Sequence, residues 1–221
     1  TAACSGSTPT VCSAANADVF ITGESGNFGE VLSSGDFNAD GRIDLAVNAK
    51  GYSTNTGRAY IFYNDGSYPT TAAGADAILT GESSTYYFGS SLAAGDFNQD
   101  GKSDISVGSI NGGANDVGKA YIFYNGNIST KNASAADVIL TGETTLTQFG
   151  TALVSGDFNA DGKTDLVVGA GRYSSYTGRV YIFYGGNIST KNASLAVVII
   201  KGKSPSDYIV VALASADSHP D

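Results

Sequence analysis

The chain has 221 residues, a length at which an all-β sequence can still form a single domain. It contains 12 Lys and Arg against 21 Asp and Glu, and this net charge of −9 argues against nucleic-acid binding, because phosphate contacts need clustered cations. The longest apolar runs, such as Leu195 to Ile200, are far shorter than the roughly 20 residues that cross a bilayer, so no membrane insertion is expected. The content of 42% hydrophobic residues is enough for a core, and 29 glycines indicate many tight turns.

The N-terminal segment, residues 1–16, contains both cysteines of the chain, Cys4 and Cys12. We expect a disulfide between them, which would place the protein in an oxidising, secreted or cell-surface compartment. Two free thiols are the alternative. No charged and apolar leader precedes the cysteines, so a secreted form would already have lost its signal peptide.

From residue 17 onward the chain is a repeat. The pair Phe-Gly recurs at Phe28, Phe88 and Phe149, at spacings of 60 and 61 residues, and Asp-Phe-Asn and Tyr-Ile-Phe-Tyr recur with the same period. Three whole units are therefore flanked by two fragments. The predicted units are the last strand of a partial blade at 17–24, blades at 28–82, 88–143 and 149–202, and the first strand of a partial blade at 208–221.

Each unit contains four short segments with the composition of β-strands. In the second unit these segments are 90–96, 104–108, 120–124 and 136–141. The third segment is apolar on both faces, since Tyr121 and Phe123 point one way while Ile122 and Tyr124 point the other, so it should be covered on both sides. No segment shows the sustained 3.6-residue apolar period of a helix. These features predict an all-β fold of β-propeller-type four-stranded blades that stack face to face.

The number of blades has a consequence for assembly. About three and a half blades are fewer than the roughly four that close a propeller, and the open faces would be large apolar patches. We therefore expect the protein to be completed by oligomerisation or by a neighbouring chain. A homo-oligomer could be a closed dimer or a head-to-tail filament.

An acidic loop joins the first and second strands of each unit. It reads Asp-Phe-Asn-x-Asp-Gly-x-x-Asp, with side-chain oxygens at positions 1, 3, 5 and 9 and with glycine at position 6 for the sharp bend. Ca²⁺ prefers six to eight oxygen ligands of this kind, and position 7 would contribute its carbonyl oxygen. The predicted ligands of about three Ca²⁺ ions are Asp36, Asn38, Asp40, Arg42, Asp44, Asp96, Asn98, Asp100, Lys102, Asp104, Asp157, Asn159, Asp161, Lys163 and Asp165.

Two other interpretations of this loop are weaker. An EF-hand needs a bidentate Glu at position 12 and flanking helices, whereas position 12 is Val47, Val107 or Val168 inside an apolar strand. A metal-free turn rich in Asp and Asn is the other alternative, and it would leave three carboxylates repelling one another within nine residues. Nine of the 21 acidic residues lie in these loops, so three Ca²⁺ would change the formal charge to about −3.

The Phe-Gly pair, the acidic loop and the strand that leads to Val168-Gly169-Ala170-Gly171 together resemble the FG-GAP repeat of integrin α-chain propellers. Similar repeats occur in a fungal integrin-like lectin and in bacterial surface proteins. The resemblance covers residues 17–217, although Gly171 replaces the proline of the repeat and propellers of the family have about seven blades. It implies that the calcium loops are structural staples on one rim, and that the repeat itself does not encode a ligand.

We expect a secreted or cell-surface, calcium-binding, non-catalytic protein that serves adhesion, recognition or structural assembly. Glu24, Glu82 and Glu143 recur in every unit, which fits a hydrogen bond in a repeated turn better than a glycosidase carboxylate pair, because such a pair would appear once. The alternatives are a carbohydrate-binding lectin and the non-catalytic propeller part of a larger extracellular enzyme. A protein or a glycan would then be the ligand.

Four Asn-x-Ser sequences lie between the third and fourth strands of the second and third units. Their asparagines are Asn127, Asn132, Asn187 and Asn192. These residues are either glycan acceptors, if the protein comes from a eukaryote, or ordinary polar turns. The sequence does not decide between the two.

Overall fold

The computed structural model describes residues 17–125 and 128–206. This part of the chain forms three β-sheets that follow one another in sequence, each made of four antiparallel strands. The predicted Cys4–Cys12 disulfide, the predicted strand at 208–221 and Asn127 lie outside the described residues. The predicted all-β fold of four-stranded units is confirmed.

Each sheet keeps its strands in chain order. The first sheet contains β1 Phe28–Gly35, β2 Asp44–Ala49, β3 Arg58–Phe62 and β4 Ala77–Thr80. The second contains β5 Phe88–Gly95, β6 Asp104–Ser109, β7 Lys119–Phe123 and β9 Val138–Thr141. The third contains β10 Phe149–Gly156, β11 Asp165–Ala170, β12 Arg179–Phe183 and β14 Val198–Lys201. Two short strands, β8 Lys131–Asn132 and β13 Lys191–Asn192, pair in parallel with the fourth strand of the preceding sheet and so link neighbouring sheets.

The helical segments of the described residues are single turns. Two are α1 Tyr52–Asn55 and α2 Tyr173–Tyr176, and the 3₁₀ turns are Ala72–Gly74, Ala114–Asp116, Ala133–Ala135 and Ala193–Leu195. Ser53 and Thr54 have positive φ values, so even α1 is a pair of turns. No helix in 17–125 or 128–206 has the length and hydropathy to span a membrane.

Two layers of core side chains lie between the three sheets, and smaller buried clusters lie on the outer faces of the first and third sheets. Tyr121 and Phe123 of the second sheet pack in one cluster with Ile61 and Leu79 of the first sheet. Ile122, on the opposite face of β7, packs against Leu166 and Val168 of the third sheet. The prediction that this strand is covered on both faces is therefore confirmed, and the second sheet is the middle of a stack.

The Phe-Gly pair explains how one sheet approaches the next. Phe88 is fully buried and meets Tyr121 edge to face, with ring centroids 5.4 Å apart. Gly89 has a φ of 88°, and a Cβ there would lie 2.7 Å from the carbonyl oxygen of Arg58 in the first sheet. Gly29, at the same position of the first sheet, has a φ of 87° but open space around it. Glycine is thus needed at position 89 both for backbone conformation and for contact between sheets.

A pair of alanine substitutions separates these two requirements. Gly29→Ala and Gly89→Ala both place alanine at a left-handed φ, which costs about 1 kcal/mol. Only Gly89→Ala also forces a backbone clash between sheets, so we expect it to cost about 3 kcal/mol in total. Urea unfolding of the two variants measures the difference. Equal losses of stability would contradict this account of the packing.

The two ends of the stack expose residues that are buried in its middle. Leu32 on β1 is 60% exposed, whereas its counterpart Leu92 on β5 is 7% exposed. Phe158, in the acidic loop of the third unit, is 42% exposed, whereas its counterpart Phe97 is fully buried against the third sheet. The segment 17–24, predicted as the last strand of a partial blade, forms one isolated parallel bridge between Thr22 and Thr71.

Candidate calcium loops

The three acidic loops occupy equivalent positions, each between the first and second strands of its sheet. In the first loop the backbone curls because Ala39 and Gly41 both have positive φ values, 61° and 85°. Gln99 with Gly101, and Ala160 with Gly162, repeat this conformation. Such a curl directs alternate side chains to the same side of the loop.

The side chains at positions 1, 3 and 5 hold this curl through backbone N–H groups. Asp36 accepts hydrogen bonds from the amides of Asp40 at 3.0 Å and Gly41 at 2.9 Å. Asn38 accepts from Asp40 at 3.0 Å, and Asp40 accepts from Arg42 at 2.9 Å. The other two loops repeat all four bonds at 2.8–3.1 Å. The predicted equivalence of the loops thus extends to their hydrogen bonds.

The pKa values of an exposed and a buried aspartate of the loops shift in opposite directions. The pKa of the exposed Asp157 carboxyl lies below its usual value, mainly because the Gly162 amide donates a hydrogen bond to the charged form. Burial raises the pKa of Asp104 to about 6. Hydrogen bonds from the Asn125 and Phe97 amides oppose that rise, and the charges of Asp100 and Asp96 add to it.

The aspartate at position 9 is the buried member of each loop. Asp44 is 1% exposed and accepts from the amides of Phe37 at 2.8 Å and Asn64 at 2.7 Å. Asp104 and Asp165 are fully buried and make the corresponding bonds. This carboxylate therefore joins its loop to the turn that follows the third strand, a structural role that the motif alone did not reveal.

Position 7 points its side chain away from the loop. The Arg42 guanidinium donates to the carbonyl oxygen of Asn64 at 3.1 Å. At the same position, Lys102 is exposed and Lys163 is half-buried. These observations agree with the expectation that only a carbonyl oxygen of this residue would serve as a metal ligand.

The donor chemistry of the loops suits Ca²⁺, but their side chains do not form a closed metal cluster in this structure. Every side chain at positions 1, 3, 5 and 9 carries an oxygen that can bind Ca²⁺. A carboxylate oxygen that accepts one amide hydrogen bond still has a free lone pair. Within 17–125 and 128–206, no three acidic, His or Cys side chains converge closely enough to hold a metal ion. Calcium binding is therefore supported by the donor set and remains a proposal.

The loops also contact the next sheet of the stack. The Asn125 side-chain amide, from the second sheet, donates to the carbonyl oxygen of Asp36 at 2.9 Å and to that of Ser103 at 3.2 Å. The amide of Gly186, in the third sheet, donates to the carbonyl oxygen of Phe97 at 3.1 Å. The order of each loop is thus coupled to the stacking of sheets. Sequence analysis did not identify Asn125, because its partner lies 89 residues away.

The repeated glutamates form ion pairs between units. Glu24 contacts Arg58 at 2.7 Å and the Tyr60 hydroxyl at 2.7 Å. The second pair joins Glu82 to Lys119 at 3.0 Å, and the third joins Glu143 to Arg179 at 2.6 Å. In each case the glutamate follows a fourth strand or its equivalent and reaches the third strand of the next sheet. The expected hydrogen bond in a repeated turn is confirmed, with a partner in the neighbouring unit.

The ion pair between Arg179 and Glu143 is more buried than the pair between Arg58 and Glu24, so it should contribute more to the stability of the fold. The side chains of Arg179 and Glu143 are 11% and 14% exposed, against 21% and 31% for Arg58 and Glu24. Glu143→Gln would leave the Arg179 charge poorly compensated, and we expect a loss of about 2 kcal/mol, between the values for surface and buried pairs. Glu24→Gln, the matched control, should cost about 0.5 kcal/mol. Chemical denaturation tests both, and a larger effect at Glu24 would contradict this ranking.

The Asn-x-Ser sequences that the structure describes have different environments. The side-chain amides of Asn132 and Asn192 donate to the carbonyl oxygens of Gly81 and Gly142, both at 2.9 Å. Their oxygens also accept from the amides of Ser134 and Ser194. These two asparagines therefore act as structural links between units, which favours the polar-turn interpretation. Asn187 is exposed.

A concave feature lies between the second and third sheets. It is a cavity of about 270 Å³, open on one side and mainly polar. Its lining includes Tyr87, Asn111, Asp116, Gln148 and Arg172. Positive φ values at Tyr87, Asp116 and Gln148 show that tight turns build its wall.

Comparison with known proteins gives consistent results. Residues 149–183 match the model of the FG-GAP repeat, and residues 36–107 match the model of the FG-GAP-like repeat. The chain is 37% identical over 150 residues to mouse phosphatidylinositol-glycan-specific phospholipase D. This matched region covers 63% of this chain and 18% of the relative. It is 32% identical over 186 residues to Drosophila melanogaster integrin alpha-PS5 and 30% identical over 179 residues to Xenopus laevis integrin alpha-5.

Those two integrin matches cover 81% and 74% of this chain, but 18% and 16% of the integrins. The chain therefore spans less than a fifth of the length of these relatives.

Stacked four-stranded antiparallel sheets, each with an acidic loop between its first two strands, define a protein built of β-propeller blades. The matches to the repeat models and the integrin relatives identify these blades further. The chain is an FG-GAP repeat protein, as its sequence predicted.

Proposed function

We propose that this chain is a calcium-stabilised, non-catalytic module for adhesion, recognition or structural assembly, in an extracellular or cell-surface protein. The observation that carries the proposal is the acidic loop, present three times with the same curl and the same four hydrogen bonds. Similarity to integrin alpha chains supports the adhesive role. The enzyme named among the relatives is matched over 18% of its length, so its activity is not extended to this chain.

In the proposed role, each Ca²⁺ would be held by positions 1, 3, 5 and 9 of a loop and by the carbonyl oxygen at position 7. The bound ion would supply positive charge where the charges of Asp100 and Asp96 disfavour ionisation of Asp104. It would thereby fasten the turn between the first two strands of a blade. Because Asn125 binds the backbone of Asp36, this stabilisation would extend to the next blade.

The absence of catalysis is part of the proposal. The acids that recur in the blades have structural partners: Glu24, Glu82 and Glu143 pair with cations, and Asp44 accepts two backbone amides. Such fixed, repeated carboxylates suit a scaffold better than general acid–base catalysis, which needs a group free to exchange protons with a substrate.

Assembly into a homo-oligomer follows from the exposed ends of the stack. Leu32 and Ile43 of the first blade are 60% and 61% exposed, and Phe158 and Ile200 of the third blade are 42% and 50% exposed. We propose that these ends are covered by other copies of the chain, in a closed dimer or a head-to-tail filament. We also propose that the protein is secreted and contains a Cys4–Cys12 disulfide. Sedimentation velocity at micromolar concentration should show a species larger than one chain, and a stable monomer would refute this part of the proposal.

Titration calorimetry tests the calcium role directly. The chelated protein should bind about three Ca²⁺ ions. The triple variant Asp36→Ala, Asp96→Ala and Asp157→Ala removes position 1 of every loop and should bind none. Asp65→Ala, an exposed aspartate outside the loops, is the matched control and should bind as the unmodified chain does. No heat of binding from the unmodified chain would refute the calcium role.

The cavity between the second and third blades favours a second candidate function, that of a lectin. Asp116, Gln148 and Arg172 offer acceptors and donors for sugar hydroxyls there, and Tyr87 offers an aromatic surface. A glycan array should then show a small set of related ligands whose signals are lost in Arg172→Ala and kept in Arg42→Ala, a control in an acidic loop. An array without ligands would refute the lectin role.

A further inference from the structure

Three of the four Asn-x-Ser sequences lie in the part of the chain that the structure describes. A sequence of this form is the acceptor of an N-linked glycan, and here its asparagines are Asn132, Asn187 and Asn192. All three residues are exposed, so exposure alone does not distinguish them. A glycan is attached to the side-chain nitrogen Nδ2, and the hydrogen bonds of that nitrogen therefore decide which asparagine is available.

The side-chain amides of Asn132 and Asn192 are engaged in the contact between blades. Asn132 Nδ2 donates to the carbonyl oxygen of Gly81, and Asn192 Nδ2 donates to that of Gly142, both at 2.9 Å. Each asparagine also pairs in parallel with the fourth strand of the preceding blade. A glycan replaces one hydrogen of Nδ2 with a sugar ring, which would have to fit beside this strand pair.

The space around these two bonds is closely packed. A Cβ on Gly142 would lie 2.9 Å from the Cβ of Phe149, and a Cβ on Gly81 would lie 2.7 Å from that of Phe88. Added groups in such a region force side chains and backbone to shift. A sugar ring at either asparagine is therefore incompatible with the observed contact between blades.

The environment of Asn187 is different. Its side chain makes no hydrogen bond to any residue within 17–125 or 128–206. Ser189, which completes this Asn-x-Ser sequence, is also exposed. Both polar side chains of the acceptor sequence are thus accessible at a surface turn, as attachment of a glycan requires.

The turn that contains Asn187 is held in place on both sides. Before it, the amide of Gly186 donates to the carbonyl oxygen of Phe97 at 3.1 Å. After it, Ile188 is 4% exposed, and its carbonyl oxygen accepts from the Tyr124 hydroxyl at 3.3 Å. Neither contact uses the Asn187 side chain, so a glycan there leaves both of them intact.

We propose that Asn187 is the acceptor of an N-linked glycan, and that Asn132 and Asn192 stay unmodified in the folded chain. The donor is an oligosaccharide activated as a lipid diphosphate. A bond forms between Nδ2 of Asn187 and the anomeric carbon of the sugar, and the bond between that carbon and the diphosphate oxygen breaks. The lipid diphosphate leaves, and Nδ2 loses one proton to solvent.

The position of this acceptor also bears on the proposed recognition role. Through Gly186 and Phe97 its turn contacts the acidic loop of the second blade. A glycan is bulky and hydrophilic, so at Asn187 it would cover this part of the rim, and a protein partner would bind elsewhere. The inference rests on the proposed extracellular role, because N-linked glycans belong to proteins of the secretory pathway.

Site-resolved mass spectrometry of glycopeptides tests the proposal on the full chain, secreted from cultured mammalian cells behind an added signal peptide. We expect a glycan at Asn187 in most secreted chains and none at Asn132 or Asn192. Asn187→Gln should remove this glycan, whereas Asn192→Gln, the matched control, should keep it. Asn127, outside the described residues, is read separately by the same mapping.

A stability measurement separates the two kinds of asparagine in another way. In unglycosylated protein from bacteria, Asn192→Gln should lower the urea midpoint, because it removes the bond to Gly142, and Asn187→Gln should leave the midpoint unchanged. Equal midpoints of the two variants would contradict the structural role given to Asn192.

The outcomes of the mapping are distinct. An unmodified Asn187, or a glycan at Asn132 or Asn192 in folded protein, would overturn the proposal. If the chain is retained in the cells, the retained protein is mapped instead. Retention with a glycan at Asn187 would refute the secreted role and leave the acceptor assignment standing, and secretion with Asn187 unmodified would refute only the acceptor assignment.

Discussion

Removal of calcium is expected to lower the melting temperature by about 20 °C. A ligand at 100 times its dissociation constant stabilises a folded protein by about 2.7 kcal/mol for each site, so three sites contribute about 8 kcal/mol. For a chain of this size, 1 kcal/mol corresponds to about 2–4 °C. Thermal unfolding followed by circular dichroism, in excess Ca²⁺ and in excess EGTA, measures the shift.

The triple variant Asp36→Ala, Asp96→Ala and Asp157→Ala controls for other effects of the chelator. Asp36 and Asp96 are half-buried and Asp157 is exposed. All three lie at position 1 of their loops, so a variant that has lost them should not bind calcium and should melt at the same temperature in both buffers. Magnesium should restore less stability than calcium, because it demands a stricter octahedral arrangement than a flexible loop of this kind provides. Identical melting of the unmodified chain with and without EGTA would show that the loops are metal-free turns.

Phe88→Ala is expected to destabilise the protein by about 4 kcal/mol, the cost of a large cavity between blades. The ring is fully buried and contacts both Tyr121 and Phe123 edge to face, at 5.4 and 6.4 Å between centroids. Phe28→Ala is the matched control. The Phe28 ring makes the same contact with Tyr60 at 5.5 Å but is half-buried at the open face, so its loss should cost about 2 kcal/mol.

Guanidinium denaturation in calcium buffer measures the loss of stability in each variant. The comparison holds if the unfolding free energy of both variants depends equally steeply on the guanidinium concentration. The difference between them reports the stabilisation that a preceding blade gives to the phenylalanine of the Phe-Gly pair. Equal losses in the two phenylalanine variants would mean that the outer face is already covered.

The local elements could be predicted from the sequence because their determinants are local. A short run of aromatic and β-branched residues defines strands such as 119–123, and Asp-x-Asn-x-Asp-Gly with its curled backbone defines the acidic loop. The near-identity of three copies made both predictions stronger, since each copy tests the others. The loop's internal hydrogen bonds join residues only two to five positions apart, which explains why all three copies fold alike.

The long-range partners could not be predicted in the same way. Asp44 was expected as a calcium ligand, but nothing in the motif showed that it is buried and accepts the amide of Asn64. Asn125 follows the repeated Tyr-Ile-Phe-Tyr, as Asn64 does, but nothing in that pattern showed that it joins the second blade to the loop at Asp36. Both contacts depend on how strands and blades pack, and the pairing of residues 20 and 89 positions apart leaves no periodic signal in the sequence.

The sequence alone determined the repeat, the strands and the oxygen-rich loops, because hydrophobic alternation and turn chemistry operate within a few residues. The tertiary structure decided which copies of the same residue are buried. Leu92 lies between two blades and Leu32 lies at an open face, although their sequence environments are alike. Burial depends on the neighbouring blade, and identical repeats differ only in the neighbour that each of them has.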